Sequence, residues 1–174
     1  MKKYLAGLSA LLLLTSCSLT EPIPIQGEVV DCTSITSSGG VTEPLACLGG
    51  GDPIAVDGIK GPALINVWGT WCAPCKQELP HLAHFLQRSD GKVDLIGVAV
   101  EEKSPATVKK FIERNGMSWP VLYDKTGSTR SLFGMGVPVT WFVNSQGVVV
   151  HKKYGPFKST EEIQLAVSKY LGKP

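Results

Sequence analysis

The chain has 174 residues, with 17 Lys and Arg against 15 Asp and Glu, 43% hydrophobic residues and 7% aromatic residues. Residues 1–16 hold two of the lysines and no acid, so the rest balances at 15 against 15 and carries no electrostatic footprint for nucleic acid. The apolar content suffices for one domain of about 130 residues, and no internal repeat is present.

Lys2 and Lys3 precede the apolar stretch Tyr4 to Leu14, which is too short to span a membrane but suits the core of a secretory signal. Leu14-Thr15-Ser16-Cys17 resembles the lipobox of bacterial lipoproteins, in which cleavage precedes a cysteine that is then acylated. Residues 1–16 are therefore expected to be a removed signal and Cys17 a lipid anchor outside the cytoplasm; an ordinary signal with an incidental Cys17 is the alternative. Residues 17–44 are predicted to be the lipidated N-terminus and linker, and 45–174 the domain. Ser18 to Val30, with Glu21-Pro22-Ile23-Pro24, predicts an extended tether whose first dozen residues reach about 40 Å.

Of the five cysteines, Cys32 and Cys47 remain once Cys17 and the Cys72/Cys75 pair are set aside. In an oxidising exterior such a pair suggests a structural disulfide, two free thiols being the alternative. Closing about 15 residues would stabilise by roughly 3 kcal/mol in the chain-entropy model. The intervening stretch is rich in Ser, Thr and Gly and has little means of ordering itself.

Gly49-Gly50-Gly51-Asp52-Pro53 marks a turn, and Ile54 to Val56 reads as a short strand. Ala63 to Trp68 is apolar on both faces, as expected of a buried central strand. Cys72-Ala73-Pro74-Cys75 follows and opens a helix to about Arg88, with Leu79, Leu82, Ala83 and Leu86 as its apolar stripe and Pro80 predicted to kink it. A cysteine at a helix start meets unpaired N–H groups and the positive end of the macrodipole, both of which favour thiolate. A second cysteine three residues on lies on the same face and can displace a mixed disulfide. Pro74 tolerates its missing N–H there and stiffens the turn.

Val93 to Val100 predicts a strand parallel to the first. Ser104-Pro105 begins a helix with Val108, Phe111 and Ile112 on its buried face, and Asn115-Gly116 ends it. Pro120 to Tyr123 reads as a strand, followed by a polar turn and a brief helix to Phe133. Val137 to Val143 and Val148 to Tyr154 flank Asn144-Ser145-Gln146-Gly147 as a hairpin. Thr160 is expected to cap a last helix carrying Glu161 and Glu162 in its first turn.

Trp71-Cys72-Ala73-Pro74-Cys75 after a buried strand, Pro80 in the next helix and Gly136-Val137-Pro138 before the hairpin together resemble a thioredoxin-fold protein over residues 45 to 173. Asn66-Val67-Trp68-Gly69-Thr70, the additional helix and strand between Pro105 and Tyr123 and the lipid-type signal are similar to the TlpA/ResA-like branch of extracytoplasmic thiol-disulfide oxidoreductases. The resemblance implies an α/β thioredoxin fold, a central mixed β-sheet flanked by helices with the TlpA/ResA-type helix-strand insertion. It implies Cys72 as exposed nucleophile, Cys75 as buried resolving thiol and Pro138 as a cis-proline that sets the Val137 backbone opposite the dithiol to receive a substrate strand. Trp71 would form an apolar rim around the disulfide. The substrates would be protein disulfides or dithiols, the direction reducing, with exported cysteines such as those of apocytochrome c kept reduced and the pair recharged by a membrane dithiol carrier. No cofactor and no metal is implied.

The chain departs from cytoplasmic thioredoxins at Asn66, where they carry a buried acid, and an amide cannot act as a base. Glu101, ending the second long strand, is a candidate proton carrier, with a solvated loop acid as the plainer reading. Three other classes stay open. A peroxide-reducing redoxin would need a differently spaced motif with a supporting Thr and Arg. A metal or copper-delivery lipoprotein would need a histidine returning to the site, and His81, His84 and His151 lie on a helix and a strand. A binding lipoprotein would use the cysteines only as a staple.

Overall fold

A computed structural model of the chain describes residues 26–134 and 136–172. Cys17 and the signal segment lie outside the described residues, as do residues 18–25 of the expected tether.

Six strands form one sheet: β1 (Ala46–Cys47), β2 (Ala63–Trp68), β3 (Asp94–Val100), β4 (Val121–Asp124), β5 (Val139–Val143) and β6 (Val149–Tyr154), in the spatial order β1-β4-β3-β2-β5-β6. The α-helices among the described residues are α1 (Ala73–Arg88), α2 (Pro105–Arg114), α3 (Arg130–Phe133) and α4 (Thr160–Tyr170). β2 lies at the centre because all six of its residues can be buried; it pairs parallel with β3, Ala63 opposite Asp94, and antiparallel with β5, Ala63 opposite Val143. β3 and β4 are also parallel, joined by α2, so both crossovers carry helices onto one face. The result is the thioredoxin fold expected from the sequence, with the added helix and strand.

Leu64, Trp68, Leu95 and Phe142 face α1, α2 and α4, while Ile65, Val67, Ile96, Val98 and Trp141 face the opposite way. That second face is covered by Phe133 of α3 and by Cys32, Leu45, Ile54, Val56 and Ile59 from the chain before β2. The alternation along β2 is what a two-sided strand requires. Gly97 is needed on β3, since a Cβ there would lie 2.9 Å from the Trp68 indole nitrogen.

Several expectations change. Residues 26–44, expected to belong to the linker, fold against the domain: the Gly27 N–H donates to Glu113 C=O at 2.9 Å and Ser37 bridges Ile59, while the Cys32–Cys47 disulfide is formed as expected, with an S–S distance of 1.98 Å. The disulfide and these backbone bonds order a stretch that has no periodicity of its own. Ile54 to Val56 is no strand: Ile54 makes a single bridge to Leu45 and the chain turns into a 3-10 helix at Val56–Gly58. The two-residue β1 strand was not foreseen. Ser159, not Thr160, caps α4, its hydroxyl accepting from the Glu162 N–H at 3.1 Å. α1 continues through Pro80, which is exposed, so the Lys76 carbonyl it leaves free can face water. The Gly61–Pro62 and Val137–Pro138 bonds are both cis, the second as expected.

Candidate active site

Cys72 is the N-cap of α1, with extended backbone (φ −85°, ψ 106°), and its sulfur accepts from the Cys75 N–H at 3.1 Å. One orphan donor of the helix is thus aimed at the sulfur that would carry negative charge once reduced. The two sulfurs are bonded at 2.02 Å. Cys75 is 1% exposed, as expected of a resolving thiol, but Cys72 is only 4% exposed rather than open. In the oxidised state its sulfur turns inward to Cys75, and the exposed rim falls to Trp71, which is 54% exposed.

The loop before Cys72 is held by the end of β3. Trp71 Nε1 donates to Val100 C=O at 3.3 Å, and the Trp71 ring lies so close over Gly69 that a Cβ there would approach it to 2.7 Å. Glu102, 4% exposed, accepts from both the N–H and the hydroxyl of Thr70, the latter at 2.8 Å. Glu101, the sequence candidate for proton transfer, instead pairs with Arg130. These two residues and Val67, Trp71, Val100, Phe133 and Val137 line a shallow pocket of about 40 Å³. Val137, expected to receive substrate, therefore shares this pocket with Trp71. Neither its N–H nor its C=O has a backbone partner among the described residues. Pro138 is buried behind it, its carbonyl accepting from the Gly155 N–H at 2.9 Å.

Sequence reasoning missed Glu78. It lies three residues after Cys75 on the buried face of α1, one turn along. Its Oε1 accepts from Asn66 Nδ2 at 2.8 Å and its Oε2 from the Phe157 N–H at 3.0 Å; Asn66 Nδ2 also donates to Thr140 Oγ1 at 3.0 Å. Burial pushes the Glu78 carboxyl up to about 7, against the pull of those two donors and of Lys153. Asn66 Oδ1 has no partner among the described residues, so a protonated Glu78 would find an acceptor there after rotation of the amide. The acid absent from β2 is thus supplied by the helix. A signal was present: a glutamate within the apolar stripe of Cys75, Leu79 and Leu82.

No group of three or more His, Cys, Asp or Glu able to hold a metal occurs among the described residues. His151 stacks on Tyr170, ring centroids 3.8 Å apart, in the last hairpin strand.

Residues 41–170 match the Redoxin family model, and residues 1–18 match the prokaryotic membrane lipoprotein lipid attachment site, a signature of anchoring at a membrane outside the cytoplasm. No helix of the described residues is long and apolar enough to cross a membrane. The chain is 32% identical over 108 residues to thiol-disulfide oxidoreductase ResA of Bacillus thuringiensis (strain Al Hakam), covering 60% of this chain and 62% of that protein. It is 35% identical over 106 residues to ResA of Bacillus subtilis (strain 168), covering 58% and 57%. The chain thus spans about three fifths of the length of these curated relatives. Among solved structures, StoA from Bacillus subtilis superposes with a TM-score of 0.59 at 25% identity, covering 72% of this chain and 95% of that one.

Proposed function

The chain belongs to the Redoxin family, and from that premise we propose that it is a thiol-disulfide oxidoreductase, held to the outer face of a membrane by a lipid on Cys17, that exchanges disulfides with exported polypeptides through Cys72 and Cys75. The observation that carries the reading is the placement of a bonded cysteine pair at the start of α1, with the resolving sulfur one turn from a buried carboxyl raised to about 7.

In the reducing direction the Cys72 thiolate attacks one sulfur of a substrate disulfide, forming a mixed disulfide and releasing the other substrate sulfur as thiolate. Glu78, ionised near neutral pH, takes the proton of Cys75. The Cys75 thiolate then attacks Cys72, closing the internal disulfide and expelling the second substrate thiolate, which is protonated from Glu78 or solvent. Two electrons pass to the substrate and the pair ends oxidised, to be reset by an external dithiol, for which a membrane dithiol carrier is the proposed source. The free peptide groups of Val137 accept the substrate backbone as a short added strand, and Trp71 supplies the apolar wall beside it. Exported proteins with paired cysteines, apocytochrome c among them, are the proposed substrate class, which the names of the ResA relatives support only as far as thiol-disulfide exchange.

The test is a Cys75→Ala variant presented with a defined peptide disulfide. A stable adduct on Cys72, seen by intact mass after acid quench and absent in Cys72→Ser/Cys75→Ala, is expected; no adduct would overturn the reading. The reducing direction is tested by redox titration against glutathione. A potential near −270 mV, typical of thioredoxin, is expected, and one near −120 mV would make the protein an oxidant.

A further inference from the structure

Thr70 and Lys76, which flank the cysteine pair in the chain, line a groove of about 450 Å³ together with Thr107, Lys110, Phe111, Arg114 and Asn115. Thr107, Lys110, Phe111 and Arg114 stand at i, i+3, i+4 and i+7 of α2, so the helix turns one whole face toward it. Lys76 enters from the first turn of α1, its ammonium 5.8 Å from the Phe111 ring centroid. Three cations thus converge from two helices and no carboxylate lines the groove. None of the three is ion-paired among the described residues, whereas the pocket that Trp71 lines holds the neutralised pair Glu101 and Arg130. The charge is local, since the chain after residue 16 balances overall.

We propose that this groove docks an acidic segment flanking the cysteine of the polypeptide that Cys72 attacks. The inference rests on the oxidoreductase reading and adds to it a substrate class: a cysteine with carboxylates on one side, laid toward α2, and an apolar residue on the other, laid toward Phe133. Thr70 and Lys76 bracket the motif, so a chain whose sulfur reaches Cys72 passes the mouth of the groove. Carboxylates there meet three exposed cations grouped around the half-buried Phe111 ring, an attraction that added salt weakens.

The experiment separates docking from chemistry. Binding of dye-labelled, cysteine-free peptides carrying three Glu, three Gln or three Lys is measured on the oxidised protein by anisotropy at low and high salt. The Glu peptide is expected to bind about tenfold tighter than the Lys peptide at low salt and to lose that margin near 0.5 M salt. Lys110→Glu/Arg114→Glu is expected to reverse the preference, and the milder Lys110→Gln/Arg114→Gln to abolish it. The second-order rates of attack on cysteine-bearing versions of these peptides, each held in a mixed disulfide with a small neutral thiol that leaves on attack, should follow the same order. Equal binding of Glu and Lys peptides, or a preference that survives both variants, overturns the proposal. So does Lys110- and Arg114-dependent binding of anionic phosphatidylglycerol vesicles without any peptide preference, which would assign the patch to the membrane. Reduction of neutral hydroxyethyl disulfide reports on the chemistry alone: its absence overturns the oxidoreductase reading, whereas the anisotropy still decides the groove.

Discussion

Cys32–Cys47 and Cys72–Cys75 are both covered disulfides, yet they close loops of 15 and 3 residues in contrasting surroundings. The first ties a Ser-, Thr- and Gly-rich stretch to the edge strand β1 and buries Cys32 against the sheet, so its contribution is the loop entropy it removes from the unfolded chain. The second sits at the start of a sixteen-residue helix that fixes the same backbone by its own hydrogen bonds. Its ring adds little restraint, and the surrounding groups, an aimed N–H, a buried carboxyl and an exposed indole, serve its opening. One bond is placed where the chain needs holding and the other where a sulfur needs releasing.

The largest expected effect tests that division directly. Cys72→Ser should lower insulin reduction in the presence of dithiothreitol by more than about a thousandfold, since the remaining sulfur of the site, Cys75, is buried away from substrate. Cys32→Ser/Cys47→Ser should retain turnover but lose about 3 kcal/mol in urea unfolding. Loss of turnover in the second variant at a temperature where it remains folded would break the comparison.

The two regions should also respond to pH with opposite sign. Glu78 is raised from 4.5 to about 7 on folding, so the native state holds its proton more tightly than the unfolded chain between those values. Its contribution is fully present below about 4.5 and is lost as pH climbs through 7, by about 3 kcal/mol at most. Glu78→Gln should flatten that slope in unfolding measured from pH 4 to 8, and should slow resolution of a mixed disulfide near neutrality. Near Cys32–Cys47 the hydrogen bonds from Thr33 and Thr42 hold Asp31 and Asp57 below the ordinary carboxylate range, so what they contribute is present above that range and lost in acid.

Smaller effects sharpen the catalytic side. Glu102→Gln weakens the acceptor that holds Thr70, and should cost about 1 kcal/mol while speeding hydrogen exchange at the Thr70 amide. Smallest is the fluorescence change on reduction. Trp71 is the exposed indole beside the disulfide whereas Trp68, Trp119 and Trp141 are buried, so Trp71→Phe should remove the change.

Most elements were readable because their signals are local. Ala63–Trp68, α1, β3, α2 and the β5–β6 hairpin all follow from apolar period, capping residues and turn chemistry within a dozen residues. The Cys72/Cys75 pair was readable for the same reason, whereas the cis bond before Pro138 was expected only from the family resemblance. Of residues 26–44 only the Cys32–Cys47 bridge was foreseen, because the docking of their start comes from backbone bonds to Glu113 and Met117, more than eighty residues away in sequence. Ile54 to Val56 was misread because three apolar residues after a glycine turn serve a bridge and a 3-10 turn as well as a strand.

The sequence by itself determined the strand-helix junction and the helix-start cysteines, which are set by neighbours along the backbone, and the balanced charge after residue 16. Only the tertiary structure decided that Asn66 and Phe157 meet the Glu78 carboxyl, that Glu101 is spent on Arg130 while Glu102 holds Thr70, and that Lys76 meets Lys110 and Arg114 across a groove. Those meetings depend on the register of β2 with β3 and on α1 and α2 covering the same face, and side chains brought together by long-range pairing leave no period in the sequence that separates them.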